Sequence, residues 1–411
     1  MELILLKLVA LARPLVSMRF GEEFFAILGI GLFGILVGAV LIRAALQKSL
    51  RLSPIDLLIL AFMTLCIARA VIYIDASYIN QLTKLLVPLL SYFIVKNVVP
   101  DREEYRRVIF WIIVGFSVPT LVSAALIVSG NPEAIDSVKY QTGLLRWQGA
   151  YSNPHNFGHS MTLLLMTLVL YVSLRGMHEG ERHRVSPRAE NVLLGILAAI
   201  ALFCLYKSAV RSALLGLLVF LGLYGYLQNK KALLLGGTAL AVVAVLSAPV
   251  WIPALLHEFA PDRRGGTPEL LELGSGRPTR WANDIALYAK LPIDQQIAGI
   301  GIGVHSTSED NTVGGHSDWL RILWDTGIIG FALFAWLQIL ILRAILRMRG
   351  RERHVFLALF AAVNVMMLVS NSYTLRIQVG QLYYMILAFI EIPPHRAQTE
   401  RVPVRATDQI A

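Results

Sequence analysis

Apolar runs of about twenty residues recur along the whole chain, and each is long enough to cross a hydrocarbon layer of roughly 30 Å. The expected fold is therefore all-α: a polytopic membrane bundle of about twelve helices. The runs fall at 3–19, 24–42, 54–74, 81–99, 108–129, 157–175, 190–206, 210–227, 232–256, 318–346, 354–373 and 377–392. Lys7, Arg13 and Pro14 interrupt the first, which leaves an interfacial amphipathic helix as the alternative there. Hydrophobic residues make up 56% of the chain and charged residues 16%. The net charge of +10 does not point to nucleic acid, because the cations form no single aromatic-laced patch. They sit in short clusters between the runs, the distribution that orients a membrane protein. Nothing at the N-terminus reads as a cleavable signal. Cys66 and Cys204 lie inside apolar runs, so neither a disulfide framework nor a cysteine metal site is supported.

Orientation follows from Lys and Arg in the connections. Arg43, Lys48 and Arg51 follow the second run, and Arg102, Arg106 and Arg107 follow the fourth. Arg175 to Arg188, then Lys230 and Lys231, then Arg347 to Arg353 mark every second connection after that. This alternation closes only with both termini cytoplasmic and an even number of spans. The segments 130–156, 207–212, 257–317 and 371–376 then share the outer, periplasmic face. They hold the residues that hydropathy does not explain: Arg146, His155, Lys207, Arg211, Arg277, Arg280, His316 and Arg376. The expected organisation is a transmembrane bundle over 1–392 with one large periplasmic loop, 257–317. A polar cytoplasmic tail, 393–411, is expected to be disordered.

Several outer-face residues are candidates for chemistry. Arg211 stands in a brief polar step, Lys207-Ser208-Ala209-Val210-Arg211-Ser212. It is either a snorkelling anchor or a phosphate ligand, since guanidinium binds phosphate oxygens bidentately and stays charged. Arg69 and Lys84 fall near the outer ends of adjacent helices, and with Arg211 they suggest an anion pocket. In the large loop, Gly274-Ser275-Gly276-Arg277-Pro278-Thr279-Arg280-Trp281 leads into a short amphipathic helix. Trp281, Ile285 and Tyr288 recur at helical spacing on one face, and Ser275 or Thr279 is placed to cap its start. Arg277 and Arg280 there are either anion ligands at a helix N-terminus or solvated surface charges. Gly299-Ile300-Gly301-Ile302-Gly303 lacks the Lys-Ser/Thr ending of a phosphate loop and reads as a flexible or tightly turned connection. His316 is the candidate for proton transfer, imidazole being the side chain that exchanges protons near neutrality. His155 and His159 share a helical spacing, but no third ligand is spaced with them, so no metal site is expected.

His316-Ser317 followed by Gly327-Ile328-Ile329-Gly330, Arg211 with Leu215, and Asn153-Pro154-His155-Asn156 together resemble the O-antigen ligase-like and O-antigen polymerase superfamily of bacterial membrane glycosyltransferases. The likeness covers about residues 140–345, and the histidine within the third motif departs from the commoner pattern. The resemblance implies a role in cell-surface polysaccharide biosynthesis at the inner membrane, without cofactor or metal. A glycan would pass from an undecaprenyl-diphosphate carrier to an acceptor hydroxyl on the periplasmic face. The acceptor would be lipid A–core for a ligase or a second lipid-linked glycan for a polymerase. In that setting His316 and Arg211 would be catalytic, and Arg211, Arg277, Arg280, Arg69 and Lys84 would bind the donor. A flippase or secondary transporter is the alternative. It is weakened because carboxylates within the spans are few and no repeated broken helices are visible.

Overall fold

The computed structural model describes residues 1–19, 22–47, 50–71, 76–135, 146–175, 187–229, 277–302, 317–371 and 376–393. The described residues build an all-α protein without named strands, in which isolated bridges join Met18 to Tyr151 and Ile135 to Trp147. The helices are α1 (Glu2–Ala12), α2 (Glu22–Gln47), α3 (Pro54–Val71), α4 (Ala76–Val98), α5 (Arg102–Val128), α6 (Pro154–Arg175), α7 (Pro187–Ser208) and α8 (Arg211–Gln228). Two short helices follow, α9 (Arg277–Tyr288) and α10 (Ile293–Ala298), and then α11 (Asp318–Arg347), α12 (Gly350–Val369) and α13 (Ile377–Leu387). Among the described helices, 7 are long and apolar enough to cross a membrane. The ninth apolar run, 232–256, lies outside the described residues.

The centre of the bundle is α6, buried along nearly its whole length and packed on α5, α7, α8 and α12. Peripheral helices keep apolar side chains outward, as with Ile27, Ile30 and Ile35 of α2, the pattern of a helix facing lipid. Lipid is as apolar as leucine, so helix association there relies on close packing at small residues. Gly216 of α8 lies against Met366 of α12, and Gly115 of α5 lies against the backbone carbonyl of Leu11.

Polar contacts sort the helix ends into two faces. At one face Arg43 pairs with Glu2 at 2.9 Å, Lys7 with Glu104 at 2.8 Å and Arg102 with Glu352 at 2.6 Å. There too Lys96 is held by Asp56 and, at 2.9 Å, by Glu391. The opposite face gathers Arg19, Glu133, Ala150, Lys207, Arg277, Gly299 and Ser317.

The N-terminal segment runs from one face to the other beside α5. Glu2 and Lys7 are tied at the first face, while Arg19 donates its backbone N–H to Ala150 at 2.9 Å and pairs with Glu133 at 2.8 Å at the second. Pro14 cannot continue an α-helix interior, and the chain goes on as a 3₁₀ turn over Arg13–Ser17. That tighter helix rises about 2 Å per residue, so few residues complete the distance.

A Cβ at Gly115 would collide with the Leu11 carbonyl, whereas one at Gly34 or Gly195 would meet nothing within 4 Å. Gly115→Ala is expected to lower stability by about 1–3 kcal/mol through overpacking, read as a lower melting temperature of the detergent-purified protein. Gly34→Ala and Gly195→Ala are expected to be neutral or slightly stabilising. Equal melting of all three variants would show that α1 is not tightly seated on α5.

Candidate functional site

The second face carries a polar site assembled from segments far apart in sequence. Its first element is the turn between α7 and α8. Ala209 adopts a φ of 50°, in the left-handed region that a non-glycine residue enters at a cost of order 1 kcal/mol. The turn is held by the Ser208 hydroxyl, which donates to Leu205 O at 2.6 Å and accepts from the Val210 N–H at 3.3 Å. It is pressed on α6 at Gly158, where any Cβ would strike Ser208 or Val210. This sharp turn places Arg211 at the first position of α8.

Against the turn lies the buried His159 of α6. Its Nδ1 stands 2.8 Å from the carbonyl of His155, so Nδ1 carries the proton and Nε2 faces the Ser212 hydroxyl at 3.4 Å as an acceptor. The His155 and His159 rings are 6.4 Å apart. Among the described residues no three His, Cys, Asp or Glu side chains group as metal ligands.

The short helix α9 brings Arg277 and Arg280 to the same place. Arg277 Nη1 donates to the carbonyl of Val369, the last residue of α12, at 2.6 Å. Burial lowers the pKa of the Arg277 guanidinium, and the neighbouring charges of Arg211 and Arg280 lower it further. Arg376, at the start of α13, is pushed down to about 10 by burial, with Asp318 acting in the opposite sense. His159 lies within electrostatic reach of both Arg376 and Arg277. Arg211 and Arg280 thus lie within electrostatic range of Arg277, and Arg376 and Arg277 within range of His159. Two acidic residues, Asp284 of α9 and Asp318 of α11, are fully buried nearby.

A glycine device seats the loop helices. Gly327 interrupts α11 with φ 67° and ψ −170°, a backbone region essentially restricted to glycine. The break releases carbonyls of the preceding turn, and the loop takes them up: Ile300 N–H donates to Trp324 O at 3.0 Å and Gly301 N–H to Asp325 O at 3.3 Å. Gly299 and Gly301 have φ of 80° and 109°, and a Cβ at Gly299 would strike the Asp325 carbonyl. Of the two sequence expectations for the glycine run, the tight turn describes residues 299–301. Tyr288 adds an edge-to-face contact with Trp324, centroids 5.4 Å apart. The expected apolar face of α9 thus meets the bundle at Tyr288, while Ile285 is exposed.

The sequence candidates divide into two groups. Arg211, Arg277 and Arg280 come together. Arg69 instead donates to Gly299 O at 2.5 Å, supporting the loop seat. Lys84 stands near Arg321, which bonds Gln81 at 2.9 Å and pairs with Asp325 at 3.4 Å. His316 lies outside the described residues. Its neighbour Ser317 caps α11, accepting from Leu320 N–H at 3.5 Å, and its hydroxyl donates to Met367 O at 3.5 Å. Sequence reading did not assign roles to Asp284, to Arg376 or to the His159–Ser212 pair. Arg376 had a signal, a lone cation in the short step between two apolar runs.

These features define a multi-pass membrane protein with an arginine-rich site at one end of its helical bundle. A family model described as O-antigen ligase matches residues 196–335, the stretch from α7 into α11 that carries Arg211, Arg277, Arg280 and His316. The matched stretch is similar to the O-antigen ligase family, and the match supports cell-surface polysaccharide biosynthesis of the ligase or polymerase type. No curated protein matches the chain significantly.

Gly327→Ala is expected to unseat residues 299–301 from α11. Hydrogen exchange should then show the Ile300 and Gly301 amides losing protection, while amides of α6 keep theirs. Retained protection at those two positions would reject the glycine seat.

Proposed function

We propose that the protein transfers a glycan from an undecaprenyl-diphosphate carrier to an acceptor hydroxyl at the periplasmic face of a bacterial inner membrane. The observation that carries this is the convergence of Arg211 and Arg277, from α8 and α9, within the family-matched stretch. Guanidinium groups fixed at one end of a bundle suit a diphosphate whose lipid tail remains in the bilayer.

In the proposed reaction the acceptor oxygen attacks the anomeric carbon of the donor sugar as the bond to the phosphate oxygen breaks. The diphosphate leaves with the electron pair, and Arg211, Arg277 and Arg280 stabilise the charge that develops on it. His316 takes the proton from the acceptor hydroxyl. No metal enters this scheme, and turnover is expected to survive chelation by EDTA. Arg69 and Lys84 act at the margin: one holds the loop, and the other adds positive potential beside Arg321. Nothing in the chain separates lipid A–core from a second lipid-linked glycan as acceptor. The topology belongs to the same proposal, with twelve spans, both termini cytoplasmic and the 257–317 loop periplasmic.

Reconstitution with a defined lipid-linked repeat unit tests the reaction. A product ladder without lipid A marks a polymerase, and transfer to the core sugar marks a ligase. Movement of the lipid across the vesicle with no new glycosidic bond defeats both and favours a flippase.

Loss of a general base typically costs about 10²–10⁴-fold in rate. His316→Ala should therefore nearly abolish transfer while donor binding is retained, and His305→Ala, in the same loop, should stay active. Wild-type transfer by His316→Ala would remove the histidine from the mechanism. Reporter fusions after Arg184, Lys231 and Arg351 should read cytoplasmic, and one within 257–317 should read periplasmic. A cytoplasmic signal from that loop overturns the placement of the site.

A further inference from the structure

Arg376 has a buried guanidinium that the protein leaves partly unused. Its residue is only 9% exposed, yet Nε and Nη1 have no hydrogen-bond partner among the described residues. Buried polar groups ordinarily find partners, and those that do not call for an explanation. Arg376 also forms the N-cap of α13 and gives that helix no side-chain cap. The first N–H groups of a helix have no partner within it and carry its positive partial charge. One residue into the helix, Gln378 is 6% exposed, and its Nε2 is likewise without a partner.

These groups are all donors: two guanidinium nitrogens, one amide nitrogen and an uncapped helix start. A ligand that only accepts hydrogen bonds satisfies such a set, and an oxyanion is that ligand. Asp318 faces Arg376 and offsets part of its charge without occupying the two free nitrogens. The pocket lies near Arg277, which bonds the carbonyl of Val369, seven residues before Arg376 in the chain, and His159 is within electrostatic reach of both.

We propose that Arg376 and the N-terminus of α13 form a second phosphoryl subsite, so that the two phosphates of a lipid diphosphate are divided. One lies on Arg211, Arg277 and Arg280, and the other on Arg376 and the first turn of α13. This rests on the lipid-diphosphate reading given above, and it adds a selection rule. The site should prefer diphosphate over monophosphate lipids because only a diphosphate reaches both subsites.

The test uses the full-length protein in detergent, with undecaprenyl diphosphate and undecaprenyl monophosphate as probes and binding read by equilibrium titration. Wild type should bind the diphosphate more tightly. Arg376→Gln should lose about ten- to a hundredfold in diphosphate affinity, the range for a hydrogen bond to a charged group. Its monophosphate affinity should stay within about twofold, since that range concerns only the bond removed. Arg376→Lys should recover part of the loss, because a point charge does not reproduce the planar fork. Gln378→Glu sets a carboxylate at the same helix start and should also weaken the diphosphate selectively. It carries the test if Arg376→Gln fails to fold. Unchanged diphosphate affinity in the folded Arg376 or Gln378 variants overturns the inference, as does equal loss for both lipids. Wild-type protein that binds neither lipid defeats the donor reading itself, a result distinct from tight wild-type binding that is indifferent to residue 376.

Discussion

The site depends on a broken helix. Without the interruption at Gly327, α11 would keep its carbonyls to itself, and residues 299–301 would have nothing to hold. With it, the backbone of Trp324 and Asp325 becomes a docking edge for Ile300 and Gly301. Arg69 fixes the Gly299 carbonyl from α3, and Tyr288 closes on Trp324. α9 follows this seat, and Arg277 reaches the end of α12. A helix kink thus becomes a means of positioning guanidinium groups far along the chain from the residue that bears the strain.

The two membrane faces handle charge differently. At the face carrying Lys96, the buried ammonium meets two carboxylates, Asp56 and Glu391, and Tyr92 adds a hydrogen bond to Glu391 at 2.9 Å. Arg102 has Glu352 and the ring of Phe389. Each of these cations is paired with a carboxylate, which is what burial of ions requires. At the other face Arg277 spends an N–H on a backbone carbonyl, which leaves its charge in place.

Much of the scaffold is legible in the sequence because it rests on length and period. Apolar runs mark the helices, and the start of α8 at Arg211 and of α11 at Asp318 fall within a residue of the expected positions. Arg211, Arg277 and Arg280 are legible as a group because each interrupts an apolar or glycine-rich context with a guanidinium on one predicted face. Hydropathy does not encode which side chains meet across helices. Arg69 and Lys84 carry the same local signal as Arg211, yet helix rotation turns them toward the loop seat and Arg321. The glycine run looks like slack until Gly327 supplies the carbonyls that it binds. His159 looks like an ordinary member of its helix, and only tertiary packing sets it against Ser212 beside Arg211.

Neutralising the arginines internally would have been simple for a chain with free choice of side chains, as the opposite face demonstrates. Arg376 shows that this was not done. A guanidinium nine-tenths removed from solvent, with two nitrogens unmet among the described residues, is costly in isolation. Replacing it by an apolar residue would often be neutral or stabilising for a buried ion, so fold stability does not account for it. The cost is offset only when something brings acceptors to those nitrogens. In the proposed reading an anion from the membrane surface would do that, its tail staying in lipid while its charged end reaches Arg376 and the start of α13. In the proposed reading, the donors that cost stability at Arg376 are the ones the anion would engage.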